Sequence, residues 1–121
     1  MNLKFSTRSV GDVTIVDMTG KIVIGDETAA LRQLVVSLLD KGDRKILFNL
    51  AHVDYIDSLG LGYLVSAFTS VRKLGGELKL LSLTEKVQDL LQITKLYTVF
   101  DIANDEAAAV KSFSKTTTAT A

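Results

Sequence analysis

A serine between a strand and a helix can cap the helix, take up a phosphate or act as a nucleophile. Ser58 stands at such a junction, preceded by Asp57 and followed by Leu59, Gly60, Leu61 and Gly62. Asp57 and Ser58 are both good N-cap types. In a first helical turn the backbone N–H groups lack intrahelical partners, and the helix dipole favours an anion. A phosphate on Ser58 would thus be partly satisfied by the domain itself. The cap and the phosphoacceptor are compatible roles.

The nucleophile is the weaker reading. An elbow reads G-x-S-x-G, and Ile56 occupies the position two before Ser58. The single histidine, His52, lies six residues upstream. A phospho-receiver built on Asp57 needs a carboxylate cluster to hold Mg²⁺. Asp54 and Asp57 are present, but no acidic pair follows a first buried strand. A nucleotide loop is also poorly matched: Gly60-Leu61-Gly62 reaches Val65 where G-x-G-x-x-G needs its third glycine.

Gly60 and Gly62 are costly. Each glycine in a helix costs about 1 kcal/mol relative to alanine. Either another backbone packs closely there, or a partner docks there. On a helical wheel the core face carries Leu61, Leu64, Val65 and Phe68, and the opposite face Leu59, Gly62, Tyr63, Ser66, Ser70 and Lys73. Leu59 and Tyr63 are therefore expected as an apolar spot on a polar face, a candidate interface.

These residues need a scaffold. The 121 residues, 47% of them hydrophobic, suffice for one domain with a real core. Fourteen basic residues balance fourteen acidic ones, which argues against direct nucleic-acid binding. The absence of cysteine removes disulfides, zinc fingers and thiol chemistry, and favours the cytoplasm. One histidine leaves little for a metal centre, and no metal or cofactor is expected. The longest uncharged stretch, Ser58 to Val71, falls short of the roughly 20 apolar residues of a membrane span. The N-terminus lacks the apolar core of a signal peptide.

Leu3–Val10 and Val13–Thr19 read as two strands around a Gly11-Asp12 turn, with Lys21–Gly25 extending the second or making a short third. Leu31, Leu34, Val35 and Leu38 set a helical period, which predicts a helix over about residues 26–40 with Asp26 as N-cap and Gly42 at C′. Ile46–Leu50 is a buried strand, and the helix carrying Ser58 ends at Gly75-Gly76. Leu78–Leu81 is a further strand. Val87, Leu90 and Leu91 mark a third helix, opened by Ser82 or Thr84, with Ser82 and Glu85 fitting a capping box. Val99–Ile102 reads as an edge strand, and Asn104 as the cap of a last helix carrying Val110 and Phe113. The expectation is an α/β domain over residues 1–113: a mixed sheet with an N-terminal antiparallel hairpin, then parallel βαβ units, and about four helices. Residues 114–121 (SKTTTATA) read as a polar tail.

Tyr55-Ile56-Asp57-Ser58-Leu59-Gly60-Leu61-Gly62 resembles the signature of STAS-domain anti-sigma factor antagonists: an aspartate, a phosphorylatable serine or threonine, a variable residue, then Gly-apolar-Gly. Gly20 followed by Asp26, the Leu31-Arg32 helix, the Ile46–Leu50 strand, Gly75–Leu81 and Leu90–Leu96 resemble the family's order of elements. The resemblance covers roughly residues 3–113.

It implies a non-enzymatic cytoplasmic regulator, a phosphoprotein acting on transcription by partner switching. The unphosphorylated antagonist binds an anti-sigma factor that is also a GHKL-type serine kinase, and a sigma factor is freed. Phosphorylation at Ser58 releases the partner, and a PP2C-type phosphatase restores the cycle. The resemblance places Asp57, Leu59, Gly60, Leu61, Gly62 and Tyr63 in the partner-binding surface, with Asp26 at its edge. No cofactor is expected, and the sequence leaves the oligomeric state open, monomer or weak dimer. The alternative within the same fold is a stand-alone STAS scaffold, stressosome-like or acting on a target other than a sigma factor.

Overall fold

The computed structural model describes residues 3–23 and 25–113. The chain order is β1 (Leu3–Val10), β2 (Val13–Ile22), α1 (Asp26–Asp40), β3 (Lys45–Ile56), α2 (Ser58–Lys73), β4 (Glu77–Leu81), α3 (Glu85–Thr94), a 3₁₀ turn (Leu96–Thr98), β5 (Ile102–Ala103) and α4 (Glu106–Lys111). The five strands form one sheet in the order β1-β2-β3-β4-β5. β1 and β2 are an antiparallel hairpin, and β2 to β5 run parallel. This is the mixed α/β sheet expected from the sequence. The polar stretch 114–121 lies outside the described residues.

Alternation along the strands sorts side chains onto two faces. Val16, Met18, Phe48 and Leu50 point into the main core, which α1, α2 and α3 close with Leu31, Leu64 and Leu91. Val13, Ile15, Leu47 and Leu81 point the other way, where Ala109 of α4 and Phe113 just after it cover them.

The parallel strands end at one edge, where β2 and β3 run on beyond β4. Pairing of β3 with β4 stops at Asn49 opposite Leu81. Pairing with β2 continues to Ile56 opposite Ile22, with irregularities after Asp17 and after Gly20. Between those points β3 advances two residues more than β2. Each extra residue is a bulge that resets which side chains face inward. Val53 and Ile56 are thereby both buried, while His52, Asp54 and Tyr55 are exposed. The strand read as Ile46–Leu50 is therefore six residues longer at its C-terminal end.

Other boundaries also move. Gly25, not Asp26, is the N-cap of α1: Thr28 Oγ1 accepts from Gly25 N at 3.0 Å and donates to Gly25 O at 2.9 Å. Asp26 is the first helical residue. Thr84 stands at the N-cap of α3, and its hydroxyl donates to Val53 O at 2.6 Å. Ser82 has φ 59 and forms no capping box with Glu85. The edge strand is Ile102–Ala103, because Leu96–Thr98 forms a 3₁₀ turn first. Asp105, not Asn104, caps α4, accepting from Ala108 N at 2.9 Å.

α4 is tied down at both ends. Arg8 forks between Asp17 and Glu106, with shortest contacts of 2.6 Å to each, and Asp17 also accepts from Asn49 at 2.8 Å. At the other end, buried Lys79 donates to Ser112 O at 2.7 Å and lies 5.0 Å from the centre of the Phe113 ring. The Arg8 guanidinium holds the Asp17 and Glu106 carboxyls below their ordinary values. Both charged forms are favoured by folding, so this contribution is complete above the ordinary carboxylate range. It is lost as pH falls through the depressed values, while Arg8 stays protonated throughout. Solvent exposure limits the network to about 1 kcal/mol. Arg8→Ala is expected to lower stability by about that amount at pH 7, and by less at pH 3. Urea unfolding of both proteins at the two pH values checks this; an equal loss at both would assign the effect to packing of the arginine stem.

Candidate functional site

The site is built where β3 turns into α2. Asp57 is extended (φ −101, ψ 178) and caps the helix: its Oδ1 accepts from Gly60 N at 2.7 Å, and its backbone O from Leu61 N at 2.9 Å. An aspartate cap of this kind contributes about 1 kcal/mol. Ser58 follows as the first helical residue and is exposed. The hydroxyl thus sits on the surface at the positive end of a 16-residue helix.

The two glycines separate. A Cβ on Gly60 would lie 1.9 Å from Ile22 O and 2.7 Å from Ile22 C, the backbone at the end of β2. Gly60 is bare because α2 starts against that strand. Gly62 is exposed, and nothing stands within 4 Å of the place its Cβ would take. Packing gives no reason for a glycine at that position.

The residues expected on the docking surface also divide. Leu59 is 63% exposed. Asp57, Ser58 and Gly62 reach the surface beside it. Gly60 and Leu61 are buried and belong to the packing under the site. Tyr63 corrects the wheel: it is only 5% exposed. The wheel treats everything away from the sheet as solvent, but α1 lies beside α2 and covers that flank, with Arg32 6.0 Å from the Tyr63 ring centre. Burial pushes the Tyr63 phenol up to about 12. Asp26 is exposed at the start of α1. Ile22 and Ile56 pair at the ends of adjacent strands, so α1 and α2 begin at the same edge of the sheet.

Sequence reasoning missed Tyr55, 42% exposed with Lys21 5.8 Å from its ring centre. Like Leu59, it is a large apolar group left exposed within three residues of the serine in the chain. The signal was the three-residue spacing of Leu50, Val53 and Ile56, which leaves Tyr55 outside.

The site's chemistry is that of a modifiable surface hydroxyl. His52 is felt electrostatically at Asp17, on the sheet face opposite α2, and no hydrogen bond joins it to Ser58 among the described residues. Also among the described residues, no three His, Asp or Glu side chains are grouped to hold a metal ion. No helix among them is long and apolar enough to cross a membrane. The Thr84 hydroxyl, at the next junction, is committed to Val53 O.

A mixed five-stranded sheet with an exposed serine opening the helix after its third strand defines a class. The STAS domain model matches residues 4–109, and the chain belongs to that family. Anti-sigma factor antagonists are among its relatives. The anti-sigma-B factor antagonist of Bacillus subtilis is 34% identical over 112 residues, covering 92% of this chain and 100% of that protein. The NMR structure of the protein TM1081 superposes with a TM-score of 0.78 at 32% identity, covering 90% of this chain and 87% of that one. SpoIIAA, an anti-sigma factor antagonist, has the same fold in its unphosphorylated form, with a TM-score of 0.72 at 19% identity over 87% of this chain and 92% of that one. Its phosphorylated form from Bacillus gives 0.69 at 17% identity over 89% and 97%.

Proposed function

We propose that this chain works by partner switching: with Ser58 free it binds an anti-sigma factor, and phosphorylation of Ser58 ends that binding. One observation carries the reading. Ser58 is exposed on the same first turns as an exposed leucine, Leu59, and a glycine that packing does not require, Gly62. A partner surface lying close over Gly62 supplies the missing reason. The partner is a GHKL-type serine kinase that is itself the anti-sigma factor, and a PP2C-type phosphatase resets the switch. The chain performs no chemistry of its own and acts in the cytoplasm, as a single domain over residues 1–113.

Intact mass tests the acceptor. Wild type and Ser58→Ala are incubated with ATP and a soluble extract of the native cells containing active serine kinases. Wild type alone is expected to gain one phosphate, and pull-down with unmodified protein then identifies the partner. Gain by both proteins would move the acceptor away from Ser58. No gain by either would leave Ser58 a surface residue of the α2 first turn in a constitutive scaffold.

A further inference from the structure

The strand order leaves β5 at one edge of the sheet. Its pairing with β4 uses alternate backbone groups: Leu80 N donates to Asp101 O at 3.0 Å, and Ser82 N to Ala103 O at 2.8 Å. Successive residues of a strand turn their backbone groups to opposite sides. The N–H and C=O of Ile102 therefore point away from β4, and neither has a hydrogen-bond partner among the described residues. Ile102 and Tyr97 beside it are exposed apolar residues. Natural sheet edges are often blocked by lysine or proline. Residues 96–110 contain no proline and no basic residue.

A hollow lies on each side of this edge, and Tyr97 and Ile102 line both. On the α3 side one of about 230 Å³ is bounded by Leu83 and Leu91, with Gln88 and Gln92. On the α4 side one of about 500 Å³ is bounded by Ala109, Ser112, Lys79 and Asp101. Lys79 lies 3.5 Å from Asp101 but is buried and already donates to Ser112 O. The Asp101 side chain is 79% exposed, so the edge presents a carboxylate to solvent.

An antiparallel strand laid along β5 can exchange both backbone bonds with Ile102. The residue opposite Ile102 shares its face. Ile102 pairs with Leu80, a main-core residue, so that face is the α3 side, where the lining is largely apolar. The residues before and after it turn to the α4 side, and one of them stands opposite Asp101.

We propose that the β5 edge docks an extended segment of a partner protein in which apolar and basic residues alternate. The apolar side chain enters the α3-side hollow, and a basic one meets Asp101. Main-chain bonds supply the attachment, and the two hollows supply the selectivity. β5 lies two strands away from β3, which leads into Ser58, and this docking does not depend on phosphorylation.

The probe is the peptide acetyl-Thr-Lys-Val-Lys-Thr-amide, titrated into the full chain labelled with ¹⁵N. Saturable shifts are expected at the amides of Asp101, Ile102 and Ala103, with a Kd on the order of 1 mM. Methylating the valine nitrogen removes the donor to Ile102 O and should abolish binding. Replacing both lysines by glutamate should weaken it at least fivefold. Asp101→Asn keeps the backbone carbonyl that β4 uses and should weaken binding about threefold, as loss of an exposed ion pair does; matching amide spectra will establish that the variant is folded. The proposal is overturned by no shift up to about 10 mM peptide, or by equal binding of the N-methyl peptide, which would exclude strand pairing. It is also overturned if the glutamate peptide binds as well or if Asp101→Asn leaves the affinity unchanged. Movement of the same amides with protein concentration alone would assign the edge to a second copy of this chain and overturn it as well.

Discussion

Gly60→Ala is expected to cost more than 3 kcal/mol of folding stability, and Gly62→Ala, two residues on, to stabilise the fold by up to about 1 kcal/mol. The first figure follows from the 1.9 Å between the added Cβ and Ile22 O. That atom is backbone, so no rotamer change can relieve the clash. Either α2 or the end of β2 must move by more than an ångström. Overpacking a core commonly costs about 1–3 kcal/mol, and losses above about 4 are exceptional. Displacing α2 also disturbs the Asp57 cap, whose Oδ1 accepts from the Gly60 amide. Against a typical domain stability of about 5–15 kcal/mol, the variant should be marginal. The second figure has the opposite sign because Gly62 has open space around it, and alanine is the better helix former. Urea unfolding of the two variants measures both effects. Equal stability of wild type and Gly60→Ala would show that the close approach to Ile22 is not a constraint. Gly62→Leu extends the test to function: it should fold normally and capture the anti-sigma factor at least tenfold less well.

That contrast marks how far the sequence could be read. Two glycines in the opening turn announced a compensating feature, but not that close packing accounts for only one of them. Gly60 answers to a strand end 38 positions earlier in the chain, which no local pattern encodes. Where one face of an element meets one neighbour, periodicity sufficed. The apolar spacing from Leu31 to Leu38 predicts α1 over residues 26–40, and the helix runs Asp26–Asp40. β3 was legible to Leu50, while the apolar run of a strand buried on both faces lasted. Beyond it the buried residues come every third position, because two bulges intervene, and that spacing resembles neither a strand nor a helix. Tyr63 failed for a different reason. A wheel knows one buried face, and α2 has two: the sheet beneath and α1 at its side. The motif itself was legible because capping and exposure are local: Asp57, Ser58 and Leu59 stand as their types and spacing indicate.

Phosphorylation of Ser58 is expected to weaken anti-sigma factor binding at least 100-fold, about 2.7 kcal/mol, while leaving the backbone unchanged. The two halves of that statement have one cause. The phosphate adds about −1.5 to −2 charge at pH 7. Within the domain it sits at the first turn of α2, where free N–H groups and the dipole stabilise an anion by roughly 0.3–1 kcal/mol. The fold therefore gains slightly. Across an interface the same charge stands beside Asp57 and the exposed Leu59, and docking would have to strip its water. Amide shifts between the two forms should stay within a turn or two of Ser58, and unfolding should shift by less than about 1 kcal/mol. Binding measured by calorimetry should recover in part below about pH 6, where the phosphate takes up a proton. A charge mechanism requires that recovery; a rearranged α2 would lose the partner at every pH and would move signals as far away as Leu64 and Val71, in the core. Ser58→Ala separates the remaining possibility. It lacks both the charge and the hydroxyl, so wild-type affinity in that variant means the switch works by what is added at Ser58, whereas a tenfold loss would mean that the free hydroxyl is itself a contact.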